Sequence, residues 1–392
     1  MNIGKQYKRK TISLITLVLT VFVFVLPIAG LLSSKEEVIS SENRKIYTFP
    51  QLVLKKRHLS KFLDGLSKYL EDRLLFRFSL NAHTEPIYNK HFFKGVDGNK
   101  QGIAITGLNN WLYLSWDYYY KQHTEDVPFD LNRQQYVVDR IKYVQQLAGG
   151  VPTYVIVGPD KIAVYPEYAV PWIGKPGKYR LADKKIKYMQ EQGLTVFDNL
   201  ALLKQHKKDG ILYYLADTHW NRYAAYLAFT DNISSILGNQ FVKKPYMFSR
   251  TIHPSGDLGI GFAGYKNETV YDGVNVSLHN PNEIIVKAYK NIKSPFFEGT
   301  KKELSDILSL NFNFFNEVYE TININAPIKK TLVVYGDSFY FGAGYRLFCE
   351  GTFEHIIFVH HNSLIGKKSI SEQLITKFKP DLILYESVER DL

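Results

Sequence analysis

The chain has 392 residues, 45% of them hydrophobic, and a formal net charge of +11 from 49 Lys and Arg against 38 Asp and Glu. That size and apolar content suffice for one large core or two smaller ones with appendages. The single cysteine, Cys349, excludes an intrachain disulfide, no Cys/His cluster has zinc-ligand spacing, and no nucleic-acid motif accompanies the positive charge.

Lys5, Lys8, Arg9 and Lys10 precede an uncharged run over residues 11–32 that is dominated by Leu, Val, Ile and Phe. A helix of about 20 residues crosses a hydrocarbon layer roughly 30 Å thick. The positive-inside rule then puts residues 1–10 in the cytoplasm and everything after the span outside. This predicts a single-pass anchor in the inner (cytoplasmic) membrane carrying a periplasmic or extracellular domain. A cleaved signal peptide is the rival reading, but the apolar run is long for one and lacks an A-x-A cleavage site.

Residues 33–100 read as a membrane-proximal segment with helical spacing over 59–80, and 101–392 as the working domain. A strand is predicted at 111–114 after the turn Gly107-Leu108-Asn109-Asn110, then a helix over 132–147 that ends at Gly149-Gly150. A buried strand over 153–157 stops at Gly158-Pro159, and a basic amphipathic helix over 179–192 leads into a strand at 194–197. A helix over 222–237 is stopped by Gly238. The Asn-, Gly- and Pro-rich stretch 240–325 reads as an insertion or lid. Strands return at 331–335, 355–359 and 381–385, with a helix over 369–378 between the last two. Strands separated by helices predict an α/β fold, a doubly wound parallel sheet with flanking helices.

The most informative segment is Tyr335-Gly336-Asp337-Ser338-Phe339, directly after the apolar run Thr331-Leu332-Val333-Val334. A buried strand that breaks there presents the Ser338 hydroxyl at its carboxyl end, where ligands bind in open α/β sheets. Serine needs a base, and the base needs an orienting group. Asp217-Thr218-His219-Trp220 offers both: His219 as general base and Asp217 as the carboxylate that fixes its tautomer. The Ser338 N–H is a natural first oxyanion donor. The bland readings are a chance Gly-Asp-Ser turn and an Asp that caps the following helix. His360 and His361 are also possible bases, although no carboxylate is spaced to serve them.

Short tags carry a resemblance over nearly the whole chain beyond the apolar run. They are Glu42-Asn43-Arg44 with Phe49-Pro50, Tyr69-Leu70-Glu71-Asp72 with Phe76-Arg77, Trp111-Leu112-Tyr113, Pro159-Asp160-Lys161 and Tyr165-Pro166-Glu167. The Asp217–Trp220 block, Gly256-Asp257-Leu258, Gly336-Asp337-Ser338-Phe339 and Lys379-Pro380-Asp381 with Glu389-Arg390 complete the series. In this order they resemble the alginate O-acetyltransferase family, the AlgJ/AlgX-like proteins with an SGNH hydrolase-like domain. The resemblance implies the same trio, Ser338, His219 and Asp217, and an enzyme that acetylates polysaccharide outside the cytoplasm. Trp220, Arg222, Lys161 and Tyr340 are expected near the substrate. One departure is Asn221-Arg222-Tyr223-Ala224-Ala225, which stands where a small polar stretch leading to Gly is expected.

The function expected is transfer of acetyl, through acetyl-Ser338, to hydroxyls of a cell-surface or exopolysaccharide. One apolar run cannot carry acetyl across a bilayer, so a multispanning membrane acyltransferase is the expected donor partner, with a polysaccharide acceptor, the membrane and no nucleic acid. No cofactor and no metal are expected. The alternatives are a carbohydrate acetylesterase using the same triad and a non-catalytic glycan-assembly protein.

Overall fold

Strand β12 (Ile328–Gly336) shows why the sheet forms. Its run Leu332-Val333-Val334-Tyr335 is buried throughout, so it has no polar face. Leu332 and Val334 enter one apolar cluster, while Val333 and Tyr335 enter the other. A strand with apolar layers on both faces must lie inside a sheet covered by helices on both sides. In the computed structural model the residues described are 104–392, apart from 115–120, 124–126, 170–175, 254–255, 259–267, 275–282, 302–317, 363–367 and single positions, together with 38–39, 44–45, 49, 62, 65–67 and 69.

The chain forms two units. One comprises residues 1–96 and 257–265. Its described part holds an antiparallel pair, β1 (Val38–Ile39) with β2 (Arg44–Lys45). Within the predicted helix 59–80 the described positions 62, 65–67 and 69 are helical. Phe49 sets its ring edge-on to Phe62 and Tyr69, with centroids 6.4 and 5.3 Å away. The predicted span 11–32 lies outside the described residues, and among those described no helix is long and apolar enough to cross a membrane.

The other unit, residues 97–256 and 266–392, holds the main sheet. Strands β3 (Ala104–Thr106) and β4 (Leu112–Leu114) pair separately, as do β7 (Phe248–His253) and β8 (Glu268–Val274). The remaining strands are β5 (Thr153–Gly158), β6 (Thr195–Asp198), β9 (Ile285–Tyr289), β10 (Phe297–Thr300), β11 (Val318–Ile322), β12, β13 (Phe353–His360) and β14 (Leu382–Val388). They form one eight-stranded sheet in the order β10-β9-β11-β13-β12-β14-β5-β6.

The five strands from β13 to β6 are parallel, as predicted. The expectation of a wholly parallel sheet needs correction, because β11, β9 and β10 add an antiparallel edge. Those three strands lie within 240–325, so part of the stretch expected as insertion or lid is sheet. Each is only four or five residues long and sits among Asn- and Pro-rich segments, which hides it from periodicity.

On one face pack α1 (Leu131–Leu147), α3 (Leu181–Glu191) and α8 (Lys368–Phe378), through Val137, Ile141, Ile186, Met189 and Leu374. On the other lie the short α2 (Lys161–Val164), α4 (Leu200–His206), α5 (Arg222–Leu237), α6 (Ser338–Phe341) and α7 (Tyr345–Glu350). Burial of Trp220, Phe229, Phe339, Tyr345 and Phe348 makes this second layer aromatic.

Candidate active site

The carboxyl ends of β12, β14 and β5 converge where the predicted chemistry lies. Beyond Gly336 the chain turns at once into α6, and Asp337 is the residue that makes the turn. One carboxylate oxygen accepts the Phe339 N–H at 2.7 Å as the helix cap, and the other accepts the Val388 N–H at 2.7 Å. The Asp337 N–H donates to Glu386 Oε2 at 3.1 Å. Glu386 is fully buried, and burial together with neighbouring Asp337 pushes its carboxyl well above the usual range. Gly336 approaches closely as well: a Cβ there would meet Tyr340 Cβ at 3.0 Å and Glu386 Oε2 at 3.2 Å. The turn that carries Ser338 is thus tied into both β14 and α6, which leaves the half-buried serine little freedom.

The base arrives on a separate loop. Tyr213 and Trp220 form an antiparallel bridge, and the Asn221 N–H donates to Leu212 O at 2.9 Å, which closes the loop 213–220 at its root. Asn221 then caps α5 by accepting the Ala224 N–H at 3.0 Å. The cap expected of Asp217 therefore falls to Asn221, and Asp217 is available to the histidine. Its Oδ1 accepts the His219 backbone N–H at 2.9 Å and lies 2.6 Å from His219 Nδ1. On the opposite side of the ring, His219 Nε2 lies 2.7 Å from Ser338 Oγ.

Ser338 is so joined to the neighbouring pair Asp217 and His219, the latter 119 residues before it, in a continuous hydrogen-bonded row, Ser338–His219–Asp217. The Asp217 and His219 side chains are 13% and 20% exposed, enough for a small reactant to reach them and little enough to limit water. Phe339 packs against the imidazole with centroids 5.0 Å apart. Gly256 crowds Asp217 so closely that a Cβ there would fall 2.1 Å from Oδ2.

The other expected site residues fare differently. Trp220 is 0% exposed, donates its indole N–H to Phe339 O at 3.3 Å and stacks on Tyr345, so it packs the core and does not line a cleft. Tyr340 is also 0% exposed, with its ring stacked on Phe358 at 5.4 Å. An aromatic on the inward face of a short helix is claimed by the core before any ligand can use it. Lys161, expected in the cleft, does line a small one beside Thr218, but it is 3% exposed and donates its ammonium to backbone carbonyls. Arg222 is exposed at the start of α5, and Gly344 lies against its stem. His360 is buried and accepts the Asn362 N–H on Nδ1 at 3.2 Å, which commits it to the neutral form; burial first and His361 second bring its pKa down to about 3.

Spacing did not single out the braces. Asp160 ion-pairs with Arg390, whose guanidinium lies 5.5 Å from the Phe339 ring centroid. Arg180 ion-pairs with Glu389, Asp198 and Asp183. Asp160, Glu389 and Arg390 had as sequence signal only their membership in the tags Pro159-Asp160-Lys161 and Glu389-Arg390, and Arg180, Asp183 and Asp198 had none. Among the described residues a small cleft beside Thr218 is lined by Tyr113, Leu114, Asp160, Lys161, Ile162 and Arg390.

Residues 104–252 match the family model described as SGNH hydrolase-like domain, acetyltransferase AlgX. The match includes Asp217 and His219 and ends before Ser338. Among solved structures, Bacillus cereus PatB1 with a sulfonyl adduct aligns at 14% identity and a TM-score of 0.49, over 74% of this chain and 97% of that one. The O-acetyltransferase domain of Pseudomonas putida AlgJ aligns at 13% identity and 0.44, over 74% and 92%. Pseudomonas aeruginosa AlgX aligns at 13% identity and 0.43, over 79% and 65%. Scores of this size lend no weight to any activity. No curated protein matches the chain. The family model, over residues 104–252, shows the resemblance that the motifs carry, to the AlgX acetyltransferases with their SGNH hydrolase-like domain.

Proposed function

We propose that this protein is an extracytoplasmic O-acetyltransferase that moves acetyl through Ser338 onto hydroxyls of a polysaccharide. The observation that carries the reading is the row Ser338–His219–Asp217, with contacts of 2.7 and 2.6 Å. The match to an acetyltransferase family model supports the acyl group and the acceptor class.

In the first half-reaction Ser338 Oγ attacks the donor's acetyl carbonyl as His219 Nε2 takes the hydroxyl proton. The Ser338 backbone N–H is the candidate donor to the developing oxyanion. Collapse expels the donor's leaving group, which receives the proton from His219, and acetyl-Ser338 remains. In the second half a sugar hydroxyl gives its proton to His219 and attacks the same carbonyl. The sugar ester leaves and the proton returns to Ser338 Oγ, so atoms and charge balance over the cycle. Asp217 holds the Nδ1–H throughout and stabilises the imidazolium that forms in each half. The donor partner is a multispanning membrane acyltransferase, since this chain's apolar run 11–32 amounts to a single span.

The test uses the full chain with an activated acetyl ester and a panel of unacetylated glycans, wild type beside Ser338→Ala. Acetylated glycan that requires Ser338 is the expected result. Serine-dependent acetate release that no acceptor diverts would replace the transferase by an esterase, and glycan acetylation in cells that survives Ser338→Ala would assign the protein an assembly role.

A further inference from the structure

The Asp217–His219 loop is held from below by one buried cation. Lys161 sits at the start of α2, just past the carboxyl end of β5, and is 3% exposed. Its ammonium donates to Tyr214 O at 3.0 Å, Leu215 O at 3.1 Å and Asp217 O at 2.6 Å. An ammonium has three N–H donors, and all three are matched by carbonyls of the segment that presents the base. The Trp111 and Tyr113 rings each lie 5.7 Å from it, an aromatic setting that suits a cation.

The turn before Lys161 grips both halves of the site. Pro159 O accepts the Tyr213 hydroxyl at 2.5 Å, at the root of the base loop. Asp160 pairs with Arg390, which packs against Phe339, the residue after the serine. The loop is also tied by the Tyr213–Trp220 bridge, by the Asn221 N–H to Leu212 O bond at 2.9 Å and by a Leu112 N–H to Leu215 O bond at 2.9 Å. Without Lys161, the carbonyls of Tyr214, Leu215 and Asp217 would each lose a charged donor, and the backbone under Asp217 would lose three of its ties.

We infer that Lys161 is a positioning residue: its ammonium gathers the carbonyls of Tyr214, Leu215 and Asp217 so that the Asp217–His219 pair meets Ser338. It touches no reacting atom. This rests on the reading of Ser338 as nucleophile, and the role of Lys161 is to set the reach of the base.

The test compares full-length wild type, Lys161→Met, Lys161→Arg and Ser338→Ala. One readout is the rate of Ser338 modification by phenylmethylsulfonyl fluoride, per folded molecule, and the other is the low-field proton resonance of the His219–Asp217 hydrogen bond. Lys161→Met preserves length and volume without donors; its labelling rate is expected to fall about 100-fold, the cost of a small misplacement, and its resonance to vanish. Lys161→Arg keeps charge and donors in a shape that fits the three carbonyls less well, and should fall between; it also serves should the Met variant not fold. If either readout stays at the wild-type level in a folded Lys161→Met, or in Lys161→Arg when only that variant folds, the assignment is overturned. Labelling of wild type that persists in Ser338→Ala would instead refute the nucleophile, and the resonance would still decide the role of Lys161.

Discussion

At the residue scale, Asp217 has the task, in the proposed mechanism, of orienting His219. It accepts both the backbone and the ring N–H of His219 through one oxygen. Asp217→Asn keeps the shape but can present its amide N–H to Nδ1 and so favour the wrong tautomer. A loss of about 10³- to 10⁴-fold in kcat is expected with little change in KM, read from steady-state acetyl transfer. Gly256→Ala approaches the same carboxylate from outside, since its Cβ would fall 2.1 Å from Oδ2. The carboxylate or the backbone must shift, and kcat should drop by at least about 10-fold while thermal stability changes less. Trp220 behaves oppositely. At 0% exposure its truncation to Ala should cost about 3–5 kcal/mol in denaturant unfolding. A folded Trp220→Phe should retain the acceptor KM; a raised KM would return Trp220 to the cleft.

At the element scale, the parallel strands and the four longest helices were legible because each carries an unbroken apolar run or a clear helical period, whereas the short helices Leu200–His206 and Tyr345–Glu350 were not read. Helix 222–237 was read to its observed ends, Arg222–Leu237, where Asn221 caps it and Gly238 stops it. Strand β12 was read short by three residues at its start, since Lys329 and Lys330 interrupt its pattern on the way to Thr331. The antiparallel edge β9–β10–β11 escaped notice, because four- or five-residue strands joined by polar loops have no period long enough to detect. The site divides the same way. Ser338, His219 and Asp217 were legible because acyl chemistry demands those residue types at turn positions. The roles of Lys161, Asp160, Arg390 and Glu386 were not, because each is defined by a partner at least 49 residues away. A charged residue beside a strand end looks the same in sequence whether it meets solvent or a buried carbonyl.

At the scale of the whole molecule, the buried histidines link stability to pH. His360 is held neutral, its pKa brought from 6.5 to about 3, chiefly by burial, and His123 is lowered to about 4, again chiefly by burial. A histidine whose folded pKa is depressed takes up its proton more readily when unfolded. Folding stability is therefore lost as pH falls from about 6.5 toward the folded values, and is fully present above 6.5. The melting temperature should decline through that window, and His360→Gln should flatten the decline by removing the larger of the two shifts. Equal slopes in variant and wild type would show that other groups govern acid unfolding.

The central claim is that Ser338 carries the acetyl group, and the direct measurement is peptide mass spectrometry of the full chain quenched shortly after mixing with an activated acetyl ester. Acetyl on the Ser338 peptide, absent in His219→Ala and discharged when an acceptor glycan is added, is the predicted result. Glycan acetylation that proceeds with Ser338 unmodified, and unimpaired in His219→Ala, would contradict it.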